Sequence, residues 1–185
     1  MAPISSASVR TSSPWRALSL TLAGAALITL GAKAQIPFWP VPMTLHTLAV
    51  FLVAATLGPR LGLAAMAAYL GAGAMGLPVF SGTPARGIGL GYMVGPTGGY
   101  LLGYLVAAGL VGRWAAGRGW IGRALAMLAG LGVVYAAGLA WLATFVPASG
   151  LLAAGLTPFL PGDLVKVALA AALAPGLARL AERGA

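Results

Sequence analysis

Asp163 and Lys166 stand three residues apart inside an apolar run from Leu160 to Leu173, and Asp163 is the only acidic residue in the first 181 positions. The other acid of the chain is Glu182. On a helix, residues three apart lie about 60° apart around the axis and can meet. Ionisable groups within a membrane span each cost roughly 2.5–3.5 kcal/mol by insertion measurements, so a retained pair needs a reason. Two reasons stand. One is a self-neutralising pair that lets a short helix insert, because buried ion pairs by themselves are weak evidence of function. The other is a pair held partly apart by a polar ligand, with the carboxylate accepting and the ammonium donating. Pro161 suits a helix start, and the helix N-terminus favours the Asp163 carboxylate, while Lys166 sits one turn deeper against that dipole.

Five further residues carry candidate chemistry. Arg86, in a glycine-rich stretch, has fork donors suited to a carboxylate, or else snorkels to headgroups. His46, the sole histidine, bonds either a ligand or neighbouring protein groups; one imidazole without cysteines makes no metal site, and none is expected. Thr44 beside it reads as a ligand hydroxyl or a helix cap. Phe38 and Tyr92 are the expected contacts among four aromatics, with Trp39 and Phe80, that either form an interfacial belt or wall a pocket for a small ring system.

The elements that must hold these residues are membrane helices. The chain has 185 residues, 60% hydrophobic and 7% charged, with a mean hydropathy of +0.96, far from the composition of soluble domains. Apolar segments at 17–32, 41–58, 61–79, 97–112, 124–146 and 161–178 each approach the ~17–25 residues that cross a bilayer core. The expected fold is therefore an all-α integral membrane protein of six transmembrane helices with ordered outer loops. Residues 1–16 form an N-terminal tail, 17–178 the six-helix transmembrane domain and 179–185 a C-terminal tail. With both termini in the cytoplasm, eight basic residues (Arg10, Arg16, Arg60, Arg113, Arg118, Arg123, Arg179 and Arg183) lie inside and two (Lys33 and Arg86) outside, a clear positive-inside bias. The run before Ala32-Lys33-Ala34 imitates a signal peptide, but it is as long as its neighbours and is read as the first helix.

The formal net charge of +9 finds its counter-charge in anionic lipid headgroups. No basic stripe with interleaved aromatics or zinc knuckle points to nucleic acid. Cysteine is absent, which removes disulfides and thiolate chemistry. The outer side carries unusual connections. Gln35 to Pro42 holds three prolines in six residues, and the stretch from Phe80 to Thr97 holds five glycines and two prolines around Arg86 and Tyr92. Ordered loops of that kind at membrane depth must pack on protein or line a cavity. The first helix places Thr21, Ala25 and Thr29 at four-residue spacing, a flat ridge for another helix of this chain or of a partner.

Taken in order, Pro40-Val41-Pro42-Met43-Thr44-Leu45, Gly58-Pro59-Arg60-Leu61-Gly62, Gly76-Leu77-Pro78-Val79-Phe80, Gly95-Pro96-Thr97-Gly98-Gly99-Tyr100 and Pro161-Gly162-Asp163-Leu164-Val165-Lys166 resemble the BioY family of biotin transporters. These are the substrate-binding S components of energy-coupling factor (ECF) vitamin transporters. The resemblance runs from about residue 24 to 178. It implies a six-helix S component in the cytoplasmic membrane that holds biotin near the outer face, with no cofactor, working with a transmembrane coupling subunit and ATPase subunits. Asp163 and Lys166 match the family's Asp-x-x-Lys motif, which implies polar contact with the ligand at its ureido ring. His46 falls where many relatives carry Gln, and Arg86 lies in the matching loop. Ala25 and Thr29 match the family's small-residue docking pattern, with Thr in place of the second Ala. The chain has no Gly-x-x-x-x-Gly-Lys-Ser/Thr loop and is not itself the ATPase or any other enzyme. The alternative is a proton-coupled small-molecule carrier in which Asp163 titrates.

Overall fold

The computed structural model describes residues 13–36, 41, 43–81 and 88–183. Helix α1 spans Pro14–Lys33, with proline in its first turn, where the missing N–H leaves no bond unmade. A short antiparallel ladder follows, β1 Gln35–Ile36 against β2 Met43–Thr44, in the register Gln35↔Thr44 and Ile36↔Met43. It ties together the two feet of the proline-rich connection.

Helix α2, His46–Ala74, is two helices in one continuous stretch, broken at Gly58 with φ 80° and ψ −179°. That backbone lies in the left-handed region that glycine alone enters freely, and Pro59 is pre-set to start the next helical turn. The halves fold back on one another. A Cβ at Gly62 would lie 2.9 Å from the Cα of Ala54, and a Cβ at Gly24 on α1 would meet both Ala65 at 2.9 Å and Val53 at 3.1 Å. In a straight helix Val53 and Ala65 would stand about 18 Å apart. The expected segments 41–58 and 61–79 thus meet at Gly58-Pro59, although the helical portions begin at His46 and end at Ala74 because residues 43–44 belong to the ladder.

The rest of the chain is α3 Leu90–Met93, α4 Gly98–Trp114, α5 Trp120–Leu142, a 3-10 turn Ala148–Gly150, α6 Leu151–Gly155 and α7 Leu160–Arg183. Helix α7 continues past the expected segment end at 178, as far as Arg183. Among the described residues, the stretches Pro14–Lys33, His46–Ala74, Trp120–Leu142 and Ala148–Glu182 are long and apolar enough to cross a membrane, and the 17-residue α4 is nearly so.

Both sides of these helices are apolar. Ile28, Phe51, Met66, Tyr69, Met127, Val134 and Leu142 are buried inside, while Leu22, Leu30, Leu102, Leu125, Leu169 and Leu173 face outward. An exterior of this kind suits acyl chains. Because lipid is as apolar as the interior, close contact of small residues must hold the helices together. Helices α4 and α5 meet in that way: a Cβ at Gly99 would lie 2.3 Å from the Cβ of Trp141, and one at Gly103 would lie 2.8 Å from the Cα of Val134. The close approach of α4 and α5, with α2 and α7 packed beside them, leaves a polar-lined hollow near the first turn of α7.

Candidate functional site

Asp163 lies in the first turn of α7, and its own N–H bonds the Phe159 carbonyl at 2.9 Å. The residue is only 5% exposed. Its carboxylate is held on both sides: Lys166 Nζ donates to Oδ1 at 2.8 Å, and the Tyr135 hydroxyl donates to Oδ2 at 2.7 Å from α5. The i,i+3 pair expected from the sequence is therefore formed, with a third member on another helix. A buried carboxylate with two charge-assisted donors is well satisfied. About two of its roughly four acceptor positions remain for another donor.

This cluster forms one end of a hollow of about 550 Å³, counting the open space at its mouth. Its walls include Thr44 from β2, His46 and Thr47 from the start of α2, Tyr92 from α3, Tyr100 and Tyr104 from α4, Tyr135 from α5 and Phe159 just before α7. The lining combines aromatic rings with hydroxyl groups, and the Asp163–Lys166 pair closes one end. It suits a compact ring that carries both N–H donors and an acceptor.

The aromatic side chains form a connected wall. The His46 ring stacks on Tyr104, with centroids 4.6 Å apart, and meets the edge of Tyr69 at 5.1 Å. Phe80 stands edge-on to Tyr69 at 5.4 Å and stacks on Tyr92 at 5.0 Å. Phe80 occupies space left by Gly73, where a Cβ would fall 2.0 Å from its ring. The Tyr92 and Ser81 hydroxyls bond at 2.8 Å beside this wall. The Thr47 and Tyr104 hydroxyls bond at 2.5 Å, joining α2 to α4, and the Tyr100 hydroxyl donates to the Gly155 carbonyl at 2.7 Å. Among the described residues, Nε2 of His46 is buried with no hydrogen-bond partner. Thr44 Oγ1 accepts the His46 N–H at 3.2 Å, a turn-stabilising contact at the helix start.

Asp163, Lys166, His46, Thr44 and Tyr92 are thus brought together around one cavity. Phe38 and Arg86 lie outside the described residues. Ala25 and Thr29 sit half-buried on α1 away from the cavity, and the Thr29 hydroxyl is satisfied by the Ala25 carbonyl at 2.9 Å. Among the described residues, no three His, Cys, Asp or Glu side chains gather as a metal site would require.

Sequence reasoning missed Tyr100, Tyr104, Tyr135, Thr47 and Phe159. A usable signal existed for the tyrosines. The chain has five; four line the cavity and the fifth, Tyr69, packs against His46. A phenolic hydroxyl within an apolar span needs a partner, and the tyrosines mark the face of each helix that turns toward the polar end.

Comparison with known proteins gives a consistent result. The BioY family model matches residues 5–183. A probable biotin transporter BioY of Pyrococcus horikoshii is 38% identical over 160 residues, covering 86% of this chain and 94% of the relative. A biotin transporter BioY of Thermotoga maritima is 41% identical over 157 residues, covering 84% and 91%. Among solved structures, the S-component for biotin from an ECF-type ABC transporter superposes with a TM-score of 0.75 at 25% identity, covering 94% of each chain.

Proposed function

The chain belongs to the BioY family, and we propose that it is the biotin-binding subunit of an ECF-type transporter. It captures the vitamin from outside the cytoplasmic membrane and carries it inward with energy from partner ATPase subunits. The observation that carries this reading is the Asp163–Lys166–Tyr135 cluster at the end of an aromatic-lined cavity in a chain of this family. The carboxylate's open acceptor positions take the N–H groups of the ureido ring, and the Lys166 ammonium takes its carbonyl oxygen. The stacked pairs His46–Tyr104 and Phe80–Tyr92 support a wall for the bicyclic ring. His46, Thr44, Tyr92, Phe38 and Arg86 complete the contacts, the Arg86 guanidinium being suited to the carboxylate tail.

The six apolar helical segments, counting the two halves of α2, each cross the bilayer, and both termini lie in the cytoplasm. Residues 17–178 form the transmembrane substrate-binding domain. The coupling subunit docks on α1 beside Ala25 and Thr29, where small side chains permit close approach. Preorganisation of the polar cluster supplies affinity, and release follows a second conformation that opens the cavity.

Equilibrium binding of labelled biotin to the purified chain tests the reading. The unaltered protein binds saturably, and Asp163→Asn and Lys166→Met each weaken binding by at least tenfold. A folded, unaltered chain that binds no biotin refutes it.

A further inference from the structure

Lys166 holds only one oxygen of Asp163. A single contact leaves a carboxylate free to swing, because the terminal sp³–sp² torsion of aspartate is broad. Any ligand relying on the second oxygen would then have to stop that motion at its own expense in affinity. Tyr135 supplies the missing restraint. It comes from α5, 28 residues away in sequence, its hydroxyl bonds Oδ2 at 2.7 Å in a buried contact, and its side chain lines the same cavity. As a carboxylate oxygen can only accept, the phenol is the donor, so the direction of the bond is set. The other tyrosine hydroxyls of the cavity reach elsewhere: Tyr104 to Thr47, Tyr100 to the Gly155 carbonyl and Tyr92 to Ser81.

We propose that Tyr135 is a positioning residue for ligand recognition, clamping the Asp163 carboxylate between α5 and α7 so that its unused acceptor positions are aimed into the cavity. The proposal rests on the biotin-binding reading above and adds to it a residue that acts through Asp163. It also gives the α5–α7 contact a role, because the carboxylate is aimed correctly only while the two helices keep their spacing.

The sequence offers an unusually clean probe. Asp163 is the only aspartate in the chain, so cell-free synthesis with carboxyl-¹³C aspartate labels this one side chain. The labelled carboxylate signal is recorded by NMR, and biotin affinity is measured on the same full-length samples. Replacing Tyr135 with phenylalanine removes the donor, and 4-fluorophenylalanine at 135 fills the para position without one should the smaller ring impair folding. 4-Aminophenylalanine at 135 restores an N–H donor of similar shape.

Both donor-free variants are expected to shift the Asp163 signal and weaken biotin binding about tenfold, the order expected for a lost hydrogen bond to a charged group. The amino variant should return both toward the unaltered values. Tyr100→Phe should leave the Asp163 signal in place, because its hydroxyl bonds a carbonyl on another element. An Asp163 signal indifferent to the donor at 135, or an affinity that changes less than twofold while the signal shifts, overturns the proposal. So does failure of the amino variant to recover affinity. Loss of the functional reading looks different: the unaltered chain binds no biotin, yet its Asp163 signal still responds to the donor at 135.

Discussion

Lys166→Met separates two roles that the Asp163–Lys166 pair can have, holding the helix ends together and recognising a ligand. The Asp163 residue is 5% exposed, whereas the Lys166 side chain is 17% exposed, so the two partners are not equally trapped. Removing the lysine strands a buried carboxylate with Tyr135 as its one remaining side-chain donor among the described residues. Breaking a buried pair in this way costs about 3–5 kcal/mol. With the tyrosine bond retained, the lower end of that range, about 3 kcal/mol, applies. For a chain of this size each kcal/mol moves the melting temperature by roughly 2–4 °C, which predicts a fall of roughly 6–12 °C. The double variant Asp163→Asn/Lys166→Met removes both charges, leaves an amide that still accepts from Tyr135, and should recover at least half of that fall. Neither variant should bind biotin well, since the donor to the ureido carbonyl is missing from both. Melting followed by intrinsic fluorescence in one detergent, with binding measured in parallel, gives both readouts. If the single and double variants melt together, the carboxylate is not stranded by loss of the lysine and the energetic reasoning is wrong. If the double variant regains binding along with stability, the pair is structural and not a ligand contact.

Gly58→Ala forces a side chain onto a backbone with φ 80°, and a left-handed residue costs roughly 1–2 kcal/mol; the melting temperature should fall by a few degrees with the cavity intact. Gly103→Leu places a branched side chain where even a Cβ lies 2.8 Å from the Val134 backbone. The packed α4–α5 contact must open, with a loss of at least ~1–3 kcal/mol, and biotin affinity should fall along with stability, because Tyr104 and Tyr135 line the cavity from these two helices. Ala25→Leu combined with Thr29→Leu should leave biotin binding by the isolated chain within twofold, since neither residue lines the cavity, while reducing co-purification with the coupling subunit. Undiminished co-purification would move the docking surface off this face of α1.

Some of this structure was legible in the sequence for physical reasons. Apolar length announces a membrane helix without any knowledge of its neighbours, and the Asp163–Lys166 spacing places both groups on one helical face. Gly58-Pro59 could be read as a boundary between two segments, but its sharpness depends on a backbone angle that no composition reports. The tyrosine bond to Asp163 was illegible because the relation between positions 135 and 163 is set by how closely α4, α5 and α7 pack. That packing depends on glycines such as Gly99 and Gly103, whose partners a single sequence does not name. Periodicity also fails here as a guide to the interior, since Leu102 and Leu125 face outward as Val134 and Leu142 face inward, and both sides are equally apolar.

This equivalence of inside and outside has a consequence for the polar cluster. In water, burial of apolar surface would drive α5 and α7 together; in a bilayer that drive is absent, and close packing with a few hydrogen bonds must do the work. The Tyr135–Asp163 bond is therefore part of the contact that brings these helices together as well as part of the cavity they enclose. A ligand that donates to the same carboxylate strengthens a group already shared by both helices. Binding and helix association should be coupled, with biotin raising the melting temperature of the unaltered chain more than that of Tyr135→Phe even when each is saturated. Equal stabilisation of the two saturated proteins would show that the cavity is held by glycine packing alone and that Asp163 carries no linkage between α5 and α7.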